Sequence, residues 1–149
     1  MRPVIEPVRQ GERGPRVTNL HLGLLSLIHN QSYSTHDQQT LLERIAPEVA
    51  QNLYGEVTRS DVGIYQYQLQ HWPKLDTWPP LPTDEDFKKI VQSIPANCPG
   101  APVDEGMARA LNWLVETFRR IECPPPLPDD LQPAAILQAL QTLQKGPSV

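Results

Sequence analysis

Gly11-Glu12-Arg13-Gly14-Pro15-Arg16-Val17-Thr18-Asn19-Leu20 joins two glycines, a proline and the first residues of an apolar stripe. Glycine takes positive φ at little cost, so Gly11 to Gly14 reads as a tight turn, and Pro15, with its fixed φ, suits the first position of a helix. From there Val17, Leu20, Leu24, Leu27 and Ile28 recur at helical spacing and share one face. The spacing predicts a helix from about Pro15 to His29, and the rest of the chain is expected to pack on it.

Before this stretch, Pro3 and Pro7 disfavour helix, and Val4, Ile5 and Val8 are expected to cover one edge of a bundle. After it comes a polar loop, Asn30 to Asp37, with Thr35 or Asp37 as the cap of the next helix. Leu41, Leu42, Ile45, Val49, Ala50 and Leu53 keep a helical stripe, but Pro47 removes a donor, which predicts two short helices with Pro47 opening the second. A further helix is expected from Gly55–Val57 to about His71, with Thr58, Val62, Tyr65 and Leu69 as its core face. A second line on it, Ile64, Tyr67 and His71, is apolar enough to need a cover.

Residues 72–101 hold Trp72, Trp78, Pro79, Pro80, Pro82 and a short amphipathic stretch, Asp84 to Ile94, with Phe87, Ile90, Val91 and Ile94 on one face. This segment is expected to fold back over the second line. Its acids Asp84, Glu85 and Asp86 are adjacent and so point in different directions, which suits a helix cap rather than a calcium site. The longest uninterrupted pattern is Asp104 to Ile121, where Met107, Leu111, Leu114, Phe118 and Ile121 form the stripe and Trp113 and Val115 flank it. Asp104 and Glu105 at its start and Arg119 and Arg120 at its end complement the helix dipole. Pro124, Pro125 and Pro126 stop it. A last helix, Pro133 to Gln144, carries Ile136, Leu137, Leu140 and Leu143; it either docks on the bundle, the commoner fate, or presents that face to a partner.

With 149 residues the chain is long enough for one core, and its net charge of −4 without a basic run argues against a nucleic-acid binder. No window approaches the roughly 18 to 20 apolar residues that span a bilayer, and the N-terminus lacks a signal-peptide pattern. Export as part of a larger assembly, or a place inside the cell as a component of one, is expected. Cys98 and Cys123 bracket a helix roughly 27 Å long, against a Cα separation of about 7 Å for a disulfide, so two free thiols are expected.

The turn and first helix, as Gly11, Gly14, Val17, Leu20 and Leu24, resemble the opening pattern of the peptidoglycan-binding-like domain family, with His21 where that family usually has Gln. A second block, Tyr54, Gly55, Thr58, Val62, Tyr65 and Gln66, matches at the same spacings, with Asp61 in place of Ala. A third is met by Val103, Asp104 and Leu111, with Met107 in a Thr position. The resemblance implies an all-α fold: a three-helix bundle over residues 1–121, with a Pro-rich insertion at about 72–101 carrying a short helix. Residues 122–149 then form a Pro-rich linker and a C-terminal helix.

No catalytic constellation emerges from the spacing. His21, His29, His36 and His71 are scattered, no pair has the i, i+4 spacing of a helical metal site, and no cofactor is implied. Asp61, at the flank of the core stripe, is expected to pair with Arg13 or Arg16. The resemblance implies a non-catalytic module whose ligand is bacterial cell-wall peptidoglycan, glycan or peptide, held in a shallow groove between helices. Arg13, Arg16, Asn19, Arg59 and Tyr67, polar or aromatic and off the core stripes, are the candidate ligand-binding residues. The alternative is a protein-interaction or structural module of a larger toxin-like assembly. The leucine-rich first helix and the Val103–Val115 block resemble the bundle near the N-terminus of such proteins, and the tail helix would then engage the partner.

Overall fold

Gly11 and Gly14 take φ values of 91° and 117°, and the turn they make delivers Pro15 to the start of α1 (Pro15–Asn30). The computed structural model describes residues 4–31, 33–71, 82–95, 100–122, 124 and 127–145, the last three by backbone alone. After α1 come α2 (Thr35–Gln51), α3 (Glu56–His71), α4 (Glu85–Gln92) and α5 (Glu105–Arg120), then a 3-10 turn at Asp129–Leu131 and α6 (Pro133–Lys145). The fold is all-α. Extended pairing among the described residues is confined to two isolated antiparallel bridges, Val8 with Val103 and Arg13 with Leu53.

Two local expectations are corrected. Ser34, not Thr35 or Asp37, caps α2: its hydroxyl accepts from the Asp37 amide at 3.1 Å. Also, α2 runs unbroken through Pro47, although an interior proline costs about 3 kcal/mol. Leu41 and Ile45 are buried on one side of that proline, and Glu48 on the other is bound to the start of α3. Breaking the helix at Pro47 would forfeit this alignment.

The element that organises the bundle is α3 rather than α1. It packs against α1, α2, α4, α5 and α6, whereas α1 packs chiefly on α5, α2 and α3. The predicted face Thr58, Val62, Tyr65 and Leu69 is buried, and so are Asp61, Ile64, Gln66 and Gln68. A helix enclosed on every side must find partners for its polar groups. Gln66 does so with the backbone of Ala101, donating Nε2 to the carbonyl at 2.9 Å and accepting the amide at 2.8 Å. Gln68 exchanges amide hydrogen bonds with Gln31 at 2.7 and 2.9 Å. Tyr33 closes that cluster through hydrogen bonds to Gln31 and to the Tyr65 hydroxyl.

The same device holds the lead-in to α5: Asn112 accepts the Ile5 amide at 2.8 Å and donates to its carbonyl at 2.9 Å. Ile5 and Val8 are buried, but Val4 points to solvent at 59 % exposure, so it does not contribute to the expected cover. In α4, Asp84 caps the Phe87 amide at 2.8 Å with one oxygen and meets Arg109 of α5 at 3.0 Å with the other. Phe87 then packs edge-on against Trp113, ring centroids 5.6 Å apart. The α4 segment is thus anchored on α5 as well as on α3, where Gln70 donates to the Ile94 carbonyl at 3.2 Å. Trp72, Trp78, Cys98 and Cys123, and the expectations attached to them, lie outside the described residues.

Leu127, Leu131, Ile136 and Leu140 join the same core cluster as the bundle, so the tail helix docks. Leu111 sits at the centre of that core with no exposed surface. Leu111→Ala is expected to cost about 2 to 5 kcal/mol, whereas Leu22→Ala, at a site 45 % exposed, is expected to change stability by about 0.5 kcal/mol or less. Denaturant unfolding of the two variants checks the contrast.

Candidate functional site

The first turn of α3 begins after Gly55, which has no side chain to cap it, and the amides there are instead collected by Glu48 from α2. Its Oε1 accepts the Gly55 amide at 3.0 Å, the Thr58 amide at 2.8 Å and the Thr58 hydroxyl at 2.7 Å. Its Oε2 accepts the Val57 amide at 2.9 Å. Because the Thr58 hydroxyl proton goes to Glu48, the 2.9 Å contact between His21 Nε2 and Thr58 Oγ1 is one in which His21 donates. Burial alone would raise the Glu48 carboxyl, but these hydrogen bonds outweigh it and hold the group below its ordinary value. Burial lowers His21, partly opposed by the Glu48 charge and the Leu53 carbonyl. His21, Thr58 and Glu48 form a buried structural joint between α1, α3 and α2.

That joint fixes the chain from Leu53 to Gly55 against the lead-in. The Gly11 amide donates to the Tyr54 carbonyl at 2.7 Å, and the Tyr54 amide to the Glu12 carbonyl at 3.0 Å. The Val8 amide meanwhile donates to the Val103 carbonyl at 3.0 Å. Between these two attachments lies a half-open groove of ≈ 830 Å³. Its charged lining comes from Arg9 and Glu12 of the lead-in, Arg16 of α1, Arg59 of α3, and Asp104 and Glu105 at the start of α5. Val8, Val103 and the nearly buried Tyr54 supply apolar wall. Burial pushes the Tyr54 hydroxyl up to about 12, against the lowering effect of the Arg59 charge, so it stays protonated at neutral pH.

Gly100 sets the position of Arg59. Its φ is 71°, and an added Cβ would lie 2.2 Å from the Arg59 carbonyl oxygen, so only glycine lets this loop approach α3. Arg59 Nε donates to the Gly100 carbonyl at 3.4 Å.

Of the five candidate ligand-binding residues, the structure brings Arg16 and Arg59 to this groove. Arg13 is turned to the end of α2, where its guanidinium donates to the Gln51 carbonyl at 2.9 Å. Asn19 is half-buried on α1 outside the lining. Tyr67 stacks on His71 at a centroid distance of 4.0 Å, two turns further along α3 than Arg59. Arg9, Glu12, Tyr54 and Glu105 were not among the candidates; they come from irregular segments or a helix start, where no periodicity marks a shared surface. Asp61 pairs with neither Arg13 nor Arg16. Its neighbour is Arg44 of α2 at 3.7 Å, because Asp61 faces the α2 side of α3, whereas Arg13 is turned to Gln51 and Arg16 to the groove.

No family model, curated protein or solved structure matches this chain. Among the described residues no group of three or more His, Cys, Asp or Glu is placed to hold a metal ion, and no helix is long and apolar enough to cross a membrane.

The joint has a pH signature. The unfolded chain protonates His21 near 6.5 and the folded chain only at lower pH, so the unfolded state holds more protons and stability falls as pH drops through 6.5. Glu48, depressed below 4.5 in the folded state, contributes stability above that pH which is lost as pH falls further. His21→Gln keeps a donor for Thr58 without a titrating group. Melts of this variant and of the wild type are expected to diverge as pH falls below 6.5, the wild type losing more; parallel curves would remove His21 from the account.

Proposed function

We propose that the protein is a non-catalytic binding module for bacterial cell-wall peptidoglycan and that the groove between the lead-in, α1, α3 and the start of α5 takes the ligand. The observation that carries this reading is the meeting of Arg16 and Arg59, from two helices, in one open groove beside Glu12, Glu105 and the Tyr54 wall. The three sequence blocks that resemble the peptidoglycan-binding-like family supply the ligand class; the groove supplies a place for it. N-acetylated glycan is uncharged, whereas stem peptides carry free carboxylates and an amine. A groove lined by both guanidinium and carboxylate groups is suited to the peptide part, since guanidinium pairs bidentately with carboxylate.

A tail-borne protein partner is the less favoured reading. The residues that would engage it, Ile136 and Leu140, are buried in the chain's own core.

Co-sedimentation with purified sacculi tests the proposal. Arg16→Ala and Arg9→Ala are expected to weaken binding about tenfold each, the loss of one charge-assisted hydrogen bond of about 1.5 kcal/mol. Arg13→Ala and Tyr67→Ala are expected to bind as the wild type does, and raised salt to weaken all of them. Equal binding by Arg16→Ala, Arg9→Ala and wild type would exclude the groove, and no sedimentation of the wild type would exclude the ligand.

A further inference from the structure

Asp61 is fully buried on α3, and Arg44 Nη1, 3.7 Å away, is the charge it faces. At that distance the pair makes no hydrogen bond, and both carboxylate oxygens and Arg44 Nη1 are buried without a hydrogen-bond partner. A buried ion pair is favourable only when further hydrogen bonds satisfy its remaining atoms. Here they do not, so an ionised Asp61 destabilises whatever encloses it.

Arg44 carries this pair to the junction of α2, α3 and α6. A crevice of ≈ 260 Å³ lies there, lined by Arg44, by Glu56, Val57, Arg59 and Ser60 of α3, and by Leu137, Leu140 and Gln141 of α6. Val57, one turn before Asp61, and Ser60, its neighbour, line it with Arg44, so α6 lies over residues that flank the buried carboxyl. Arg44 is already one-third exposed, and lifting α6 would open the flank it shares with the buried Asp61 to water. The other titratable groups around Asp61 are Glu48 of α2, Tyr33 of the α1–α2 connection and Tyr65 of α3, while Glu56 and Arg59 of α3 line the crevice. The described side chains of α6 bring no charge.

We propose that α6 is an acid-set latch: it seats on α3 while Asp61 is protonated and loosens when Asp61 ionises. The ordinary docked tail thereby becomes an element whose hold depends on one buried proton. Burial is the main cause that raises Asp61, from 3.8 to about 7, with Arg44 opposing and Glu48 adding to it. With α6 seated the carboxyl keeps its proton up to about 7; with α6 lifted and the site wet it loses it near 4. The lifted state therefore gains on the seated one as pH rises from about 4 to about 7 and no further above that.

Amide hydrogen exchange of the intact chain, corrected for intrinsic rates, tests this, with α5 as the internal reference for global unfolding. Protection of residues 134–142 relative to α5 is expected to fall by up to tenfold per pH unit between about pH 4 and pH 7 and to level off above, the linkage of one proton. Asp61→Asn should abolish the slope. A pH-independent ratio in the wild type, or the same slope in Asp61→Asn, would overturn the proposal. Should that variant fail to fold, carbon NMR of the wild-type Asp61 carboxyl decides: a midpoint near 7 is expected, and one below 5 contradicts the latch.

Discussion

One carboxylate holds the start of the central helix. Glu48 reaches from α2 to three amides and a hydroxyl in the first turn of α3, and His21 of α1 completes the hydroxyl's hydrogen bonding. Three helices converge on that point. Each amide left unsatisfied there would cost about 1 to 3 kcal/mol, which is comparable to the cost of an interior proline. The continuity of α2 through Pro47 has the same origin, since Glu48 must stay in helical register with Ile45 to reach its donors.

A helix positioned in this way can be surrounded, and α3 is. Its sequence, with Gln66, Gln68, Asp61 and Thr58 among the buried residues, does not look like that of a central helix. The polar atoms are accommodated by partners distant in the chain: Ala101 for Gln66, Gln31 for Gln68, Glu48 and His21 for Thr58. Asp61 is the exception: its oxygens are left unsatisfied, with Arg44 3.7 Å away as the facing charge. Hydrogen-bonded amides cost little to bury, whereas a carboxylate facing a distant guanidinium costs more.

This difference also marks how far the residues alone were legible. Apolar periodicity places α1, α4, α5 and α6 to within a residue or two, because in these helices one stripe faces the core, and it gives Leu111, Leu114 and Phe118 as central. Periodicity is silent on polar burial, so the hub role of α3 and the partner of Asp61, seventeen positions away in Arg44, emerge only from packing. The groove shows the same division. Arg16 and Arg59 stand out as charged residues beside helical stripes. Arg9, Glu12, Tyr54 and Glu105 reach them through the bridge of Val8 to Val103 and the exchange between Gly11, Glu12 and Tyr54, pairings that no spacing rule anticipates.

Amide exchange at Gly55, Val57 and Thr58 tests most directly whether α3 is anchored at its first turn by a side chain from another helix. First-turn amides have no partner within their own helix and ordinarily exchange early. If Glu48 holds them, the three should exchange as slowly as Tyr65 in the middle of α3, and Glu48→Gln should speed them selectively. Exchange of these amides at the rate of exposed loop positions in the wild type would contradict the account.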